Sequence, residues 1–448
     1  MKNNILICKG FLICIIFLLI GTFFIPATAQ DTGKTISTSR GNWLYVGGNG
    51  PGNYTKIQDA INNANHWDTV YVYRGNYYEN IIIEKHGLSL IGQDKHNTVI
   101  HSPQITEHTI SIKGSYVTIQ GFSIENATAS GIIWDASGVF IYSSHVVVQN
   151  NIISGNSLGL CALNIAFNLT ICNNSFIDGG ILFGNYLHTP ENTEVPLKCF
   201  LHNVHNNTVN GKPLYYFKNV KDFVVPDDAG QVILVNGTNV TVKDSSFTRC
   251  DFPITLNYCT SCIVEQNNIK DSYGELMTMY SNHCIIQNNT IDSILMGVCL
   301  DQKSKNNIVR FNTVTNSSAG LVVMIESNHN MIYENNIHGN YLGIRLFQRA
   351  HDNLISKNMI HQNRIGLLLS EEPYDNAIEN NTFVKNSVQL QSLGRTKNFY
   401  HHNYWGRTRM FPKLLFGWFM PENIIPTVAF PYCITGIDWH PAKESYYI

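Results

Sequence analysis

The chain has 448 residues, a formal net charge of -2 and only 14% charged residues, against roughly 25% in an average globular chain. A sequence so nearly neutral lacks the basic field that nucleic acid requires, which excludes a DNA or RNA partner. The length is generous for one ordinary domain but natural for a solenoid, which grows by adding coils.

In chain order, the first element is a signal segment. Lys2 and Lys9 precede an apolar run from Phe11 to Ile25, then Pro26 and the small residues Ala27, Thr28 and Ala29. This pattern predicts a cleaved signal peptide over 1–29 and a secreted or cell-surface protein. The run is shorter than the roughly 20 residues of a spanning helix, so no transmembrane span is expected in the mature chain; an uncleaved anchor is the alternative reading.

Residues 30–105 read as an N-terminal cap and first coils. Ile57, Ala60, Ile61 and Ala64 mark one face of a short helix that could cover the open end of a solenoid. Alternating strands follow in "DTVYVYRG", "NIIIEKH" and "LSLIGQ".

Residues 106–405 carry a repeat. Ile152, Phe176, Phe247, Ile269, Ile291, Val314, Ile337, Ile360 and Phe383 take equivalent places, with steps of 22 or 23 residues from Phe247 onward. Two positions earlier stands Asn150, Asn174, Ser245, Asn267, Asn289, Asn312, Asn335, Asn358 or Asn381. So short a period holds three strands and three turns, with no helix. Apolar residues alternate with polar ones at period two, so each strand has one buried face and three such faces close on a core. A buried Asn column can satisfy its amides up and down the stack. The Gly six positions after the apolar residue, as in Gly297 and Gly320, suits a turn with positive φ. The predicted fold is all-β, a right-handed parallel β-helix with a short N-terminal capping helix. An inserted element occupies about 185–235. Residues 406–448 read as a C-terminal cap, its apolar stretch broken by Pro412, Pro421, Pro426 and Pro431.

Of the 11 cysteines, Cys8 and Cys14 leave with the signal, and the rest show no disulfide framework. Cys262 and Cys284 stand at equivalent repeat positions where later coils have Asn307 and Asn330, so stacking makes them a candidate disulfide. The sequons at Asn126, Asn168, Asn236, Asn288 and Asn380 are repeat chemistry first and glycosylation sites second.

The opening segment, the repeats, the insert "NNTVNGKPLYYFKNVKDFVVPDD" and the closing "HNYWGRTRMFPK" and "DWHPAKESYYI" together resemble secreted archaeal and bacterial β-helix proteins of the NosD-like, carbohydrate-binding and sugar-hydrolase (CASH) group. The resemblance covers nearly all of the mature chain and implies the pectin-lyase-like solenoid. That fold hosts lyases, hydrolases, epimerases and inert scaffolds alike, so it does not settle function.

Sugar chemistry on such a wall needs clustered carboxylates. The third-strand columns predicted to face outward read Thr255, Met277, Cys299, Val322, Arg345, Leu368 and Asn257, Met279, Asp301, Met324, Phe347, Ser370, with one carboxylate. If the chain is an enzyme, Asp301 is the acid or metal ligand, Arg345 the substrate clamp or base, and Glu326 at the following turn a second carboxylate. Lys303, Arg349 and Phe347, with Tyr215 and Tyr216 of the insert, are the candidate ligand-binding residues; a solvated charged rim is the plainer reading of the charges. No cofactor is expected. Calcium would need a carboxylate cluster. Copper, which the NosD resemblance raises, could use Met277, Met279, Cys299 and Met324, or Cys262, Cys284, His283 and His329, yet neither set has the spacing of a dedicated site. Cys259 and Cys262 form a lone CxxC. The expected partner is a polysaccharide or cell-envelope glycan, bound by a surface protein or envelope scaffold. A polysaccharide lyase, hydrolase or epimerase is the first alternative and a copper-site maturation accessory the second.

Overall fold

A computed structural model describes residues 41–103, 107–128, 136–185, 194–394, 396–406, 412–419 and 430–445; the expected signal segment lies outside them. The chain winds as a right-handed parallel β-helix. Seven strands from Trp43–Val46 to Asn203–His205 form one parallel sheet, and five from Ile81–Ile83 to Ile181–Asn185 form another. The helix Ile57–Asn63 buries Ile57, Ala60 and Ile61 against the first coil, as its apolar face requires.

At each corner the chain pivots on a left-handed residue, among them Asn288, Phe311, Glu334 and Lys357. The next residue inward is the ladder. Asn267, Asn289, Asn312, Asn335, Asn358 and Asn381 are buried, and each side-chain carbonyl accepts from the backbone N–H and amide of the Asn one coil earlier, or from Ser245 N–H at the start. The stack ends on Asn403 and the carboxylate of Asp438. A second ladder runs Asn307, Asn330, Asn353, Asn376, Asn398, and a third Asn340, Asn363, Asn386.

Three expectations need correction. The early coil is displaced by one residue: Asn151, not Asn150, donates to Asn174, and Ile153, not Ile152, pairs with Phe176, while Asn150 is an exposed turn residue at φ 53°. The sequon residues Asn288 and Asn380 likewise sit beside the ladder, on the left-handed turn. Gly297, Gly320, Gly343 and Gly366 do not have positive φ; a Cβ on Gly297 would stand 2.4 Å from the carbonyl oxygen of Gly320 and as close to a Val314 methyl. Close approach of successive coils demands these glycines.

The insert ends the five-stranded sheet. After Ile181–Asn185 the chain leaves it, Thr208–Val209 and Lys212–Lys218 form an antiparallel hairpin, and stacking resumes with Gln231–Val235. The Gln231 amide plugs the gap, accepting from Ile181 N–H at 3.0 Å and donating to the carbonyls of Ile181 and Phe252 at 2.8 and 2.9 Å. Asp251 spans the same junction, its Oδ2 accepting from Gly159 N–H at 2.7 Å; burial pushes its carboxyl up to about 7.

Cys262 and Cys284 do stack, since Ile263 pairs with Ile285 and Ile285 N–H bonds to Cys262 C=O at 2.8 Å. They are free thiols rather than a disulfide. Cys259 joins them: Cys284 Sγ–H points at Cys259 C=O at 3.9 Å, and Cys262 Sγ–H at the carbonyls of Gly237 and Thr260 at 3.6 Å each. All three are fully buried, so a water-soluble thiol reagent should leave them unlabelled in the native protein and modify them on unfolding; native labelling of Cys262 would contradict this packing.

Candidate functional site

The third-strand columns have the predicted register: Thr255, Met277, Cys299, Val322, Arg345 and Leu368 are successive Cα partners, as are Asn257, Met279 and Asp301. Their outer face is not open, however. Met277, Met279, Cys299, Val322 and Leu368 are buried in one apolar cluster with Val195, Cys199 and Phe200. Residues 194–202, within the insert, lie as an arm across this face. Tyr258 O–H donates to Val195 C=O at 2.6 Å and Val195 N–H to Tyr280 Oη at 2.8 Å; Tyr216 O–H donates to Phe200 C=O, and His202 N–H to Tyr216 Oη at 2.8 Å. Apolar side chains on the outward rows explain the arm, because an uncovered row of Met, Val and Leu would leave a large apolar patch in water.

The candidate catalytic residues are therefore not assembled on an open wall. Asp301 is 1% exposed and its Oδ1 accepts from Gln302 N–H at 2.7 Å. Arg345, two coils away, lays its guanidinium 3.8 Å from the Phe347 ring centre and donates to Ser370 Oγ at 3.4 Å. Glu326 sits on the rim, where Glu194, Lys303, Glu326 and Arg349 form a chain of ion pairs at 2.5, 3.9 and 2.7 Å. This is the solvated charged rim. Such exposed pairs are individually worth little.

Sequence reading overlooked Glu275, which lies on the same outer row as Met277. It is 3% exposed with no partner for Oε2, and burial, followed by the charge of Asp301, pushes its carboxyl up to about 8. Period-two alternation from Met277 would have placed it there. Its burial left no signal in the repeat.

Of the candidate ligand residues, Tyr216 is committed to holding the arm and Phe347 to Arg345. Tyr215 stacks on Phe217 at 5.6 Å and donates to Asp228 at 2.7 Å. Arg349 borders an open pocket of about 280 Å³ with Glu372, Tyr374, Thr396 and Lys397.

A larger feature, not singled out from sequence, is an aromatic face at the N-terminal end. Trp43 and Tyr45 alternate on the strand Trp43–Val46, and Tyr71 and Tyr73 follow on the next coil, with Tyr45 and Tyr71 direct partners. Neighbouring ring centres are 5.2 to 6.3 Å apart. Trp43 is 51% and Tyr45 39% exposed. Gly48 leaves room for the Tyr73 ring, whose edge would lie 2.9 Å from a Cβ there.

Residues 201–410 match the family model described as periplasmic copper-binding protein (NosD). No curated protein matches. Among solved structures, a periplasmic alginate epimerase is similar at 12% identity over 84% of this chain and 73% of that one, with TM-score 0.37. DFA-IIIase from Arthrobacter chlorophenolicus A6 is similar at 11% identity over 89% and 91%, with TM-score 0.33. The A-module of a mannuronan C-5 epimerase from Azotobacter vinelandii is similar at 15% identity over 80% and 95%, with TM-score 0.31. Among the described residues no helix is long and apolar enough to cross a membrane.

The family description raises copper, and the donor atoms can be weighed against it. Met277, Met279 and Cys299 lie sealed beneath the arm, and Cys259, Cys262 and Cys284 inside the solenoid; an exchanging ion reaches neither set. His283 and His329 instead bond to Asn282 and Asn328. At the C-terminal end the exposed His401, His402 and His440 have ring centres 3.8, 5.3 and 5.9 Å apart. Imidazole nitrogens suit Cu(II) and Zn(II), but as the side chains stand no group of three His, Cys, Asp or Glu among the described residues could hold an ion, so these residues do not fit.

Proposed function

We propose that this protein is an extracytoplasmic β-helix scaffold that binds glycan on its outer wall without turning it over. The observation that carries the reading is the aromatic face on which Trp43 and Tyr45 are exposed and Tyr71 and Tyr73 lie half-buried beside them. Sugar rings present C–H faces that pack on aromatic rings, while phenolic and indole groups supply hydrogen bonds. Here the rings stand on paired strands of a solenoid, so little freedom is lost on binding. The signal segment and the periplasmic family match support the compartment. A lyase, hydrolase or epimerase built on Asp301, Glu326 and Arg345 is the alternative, and the arm over Asp301 weighs against it.

A glycan array probed with wild type and Trp43→Ala/Tyr45→Ala tests the proposal. Loss of the two most exposed rings should weaken glycan binding at least about tenfold, equivalent to about 1.4 kcal/mol, with the melting temperature little changed. Equal binding by the variant, or no binding by wild type, would sink it.

A further inference from the structure

We propose that Asn288 carries an N-linked glycan, with Asn173 or Asn206 as a second site, and that the β-helix builds these acceptors from the flank of its own ladder. Asn288 turns the corner in the left-handed conformation at φ 55° and is exposed. Asn289 points inward as a buried rung, and Thr290 opens the strand Thr290–Asp301 with its side chain exposed. Because the rung points inward, the residues on either side of it point out, so the amide of Asn288 and the hydroxyl of Thr290 face solvent together. N-x-S/T is the acceptor pattern for such a glycan. The middle residue, which the pattern leaves free, is the one the ladder uses.

Asn173 and Asn206 repeat the arrangement at φ 58° and 56°, with Asn174 and Asn207 as rungs and Ser175 and Thr208 as hydroxyls. Ser175 pairs with Thr208, so the two acceptors lie one coil apart, about 4.8 Å, and a glycan on one blocks the other. Hydrogen bonding sorts the remaining sequons. Asn126 and Asn168 bond through Nδ2 to His101 and His145 at 3.3 and 3.2 Å, and Asn236, Asn239 and Asn316 donate Nδ2 to Asn219, Asp222 and Asp292 at 2.7 Å each. A sugar on any of those amides meets the neighbour it is drawn onto. Asn380 is half-buried, and Thr382 is fully buried beside Tyr404. Among the described residues no hydrogen bond holds the side-chain amides of Asn173, Asn206 or Asn288. The corner also supplies its own control: Asn150 is exposed at φ 53° beside the rung Asn151, but Ile152 stands where the hydroxyl would be.

The donor required is a glycan on a lipid phosphate carrier, met outside the cytoplasm. Nδ2 forms the bond to the anomeric carbon and loses one proton, while the anomeric C–O bond breaks and the lipid phosphate leaves with the electron pair. A covalent glycan adds hydration to a surface drawn from a chain with only 14% charged residues. The aromatic face takes no part, so either proposal can fail alone.

The test is glycopeptide mass spectrometry on the full chain recovered from the envelope and medium of its own cells. A sugar mass is expected on the peptide of Asn288 and on that of Asn173 or Asn206, and none at Asn150 or Asn380. Thr290→Val keeps Asn288 and changes only an exposed side chain, yet it should lose the sugar at Asn288, whereas Thr290→Ser should keep it. Bare Asn288 in the native protein, undiminished sugar there in Thr290→Val, or sugar on Asn150 would overturn the proposal.

Discussion

Asn335→Leu lowers the unfolding free energy by about 3 kcal/mol or more, although Leu keeps the branched outline of Asn. Asn335 Oδ1 accepts from the backbone N–H and side-chain amide of Asn312 at 3.0 Å each, and its Nδ2 donates to Val309 C=O, Tyr333 C=O and Asn358 Oδ1 at 2.9, 3.1 and 3.0 Å. Leucine leaves several of these buried groups without partners, each costing about 1–3 kcal/mol. The control is Asn316→Gly. Asn316 is exposed at φ 51° with one side-chain bond to Asp292, so glycine should change stability by less than about 1 kcal/mol, whereas alanine would add left-handed strain. Denaturant unfolding measures both, and equal losses would refute the ladder's role.

Glu275→Gln makes the protein more stable at pH 9 and leaves it nearly unchanged at pH 4. Burial holds the Glu275 carboxyl at about 8, from an ordinary 4.5. Its folded value is raised, so its contribution is fully present below about 4.5, where both states are protonated, and is lost as pH rises to about 8. A shift of that size corresponds to about 5 kcal/mol at alkaline pH. Glutamine resembles the protonated acid in shape and cannot ionise, so it removes this loss. Asp251, at about 7, loses stability in the same direction and keeps the variant from being flat. His202 acts oppositely: burial lowers it to about 3, so its contribution is present above about 6.5 and lost as pH falls towards 3. Thermal melts of both proteins from pH 4 to 9 check the sign; a variant that loses stability with pH as steeply as wild type would contradict the assignment.

The repeat was legible because stacking forces like onto like. From Asn267 to Asn381 every ladder Asn could be read from spacing alone, as could the cap helix from Ile57, Ala60 and Ile61. Where coil length changes, the same logic slips. "QNNIIS" offers two Asn and two Ile in succession, and only the pairing with Asn174 chooses Asn151 and Ile153. The coil of Asn207 hid in the insert, although it receives Asn174 at 3.0 Å. Columns were predicted correctly on the third strand, but their exposure was not, because an arm that crosses several coils carries no period. Tyr258 and Tyr280, stacked at 4.7 Å and clasping Val195, are the visible trace of it.

The central claim, glycan binding without turnover, is tested most directly by recovering a bound glycan and analysing it. Wild type, Asp301→Asn and Arg345→Ala are each incubated with an array-positive polysaccharide, and the polymer is examined for chain length, reducing ends and uronate configuration. The account predicts polymer unchanged by all three proteins, with equal retention on wild type and Asp301→Asn. Shortened or epimerised polymer from wild type, absent with Asp301→Asn and Arg345→Ala, would show instead that the arm opens onto an active site.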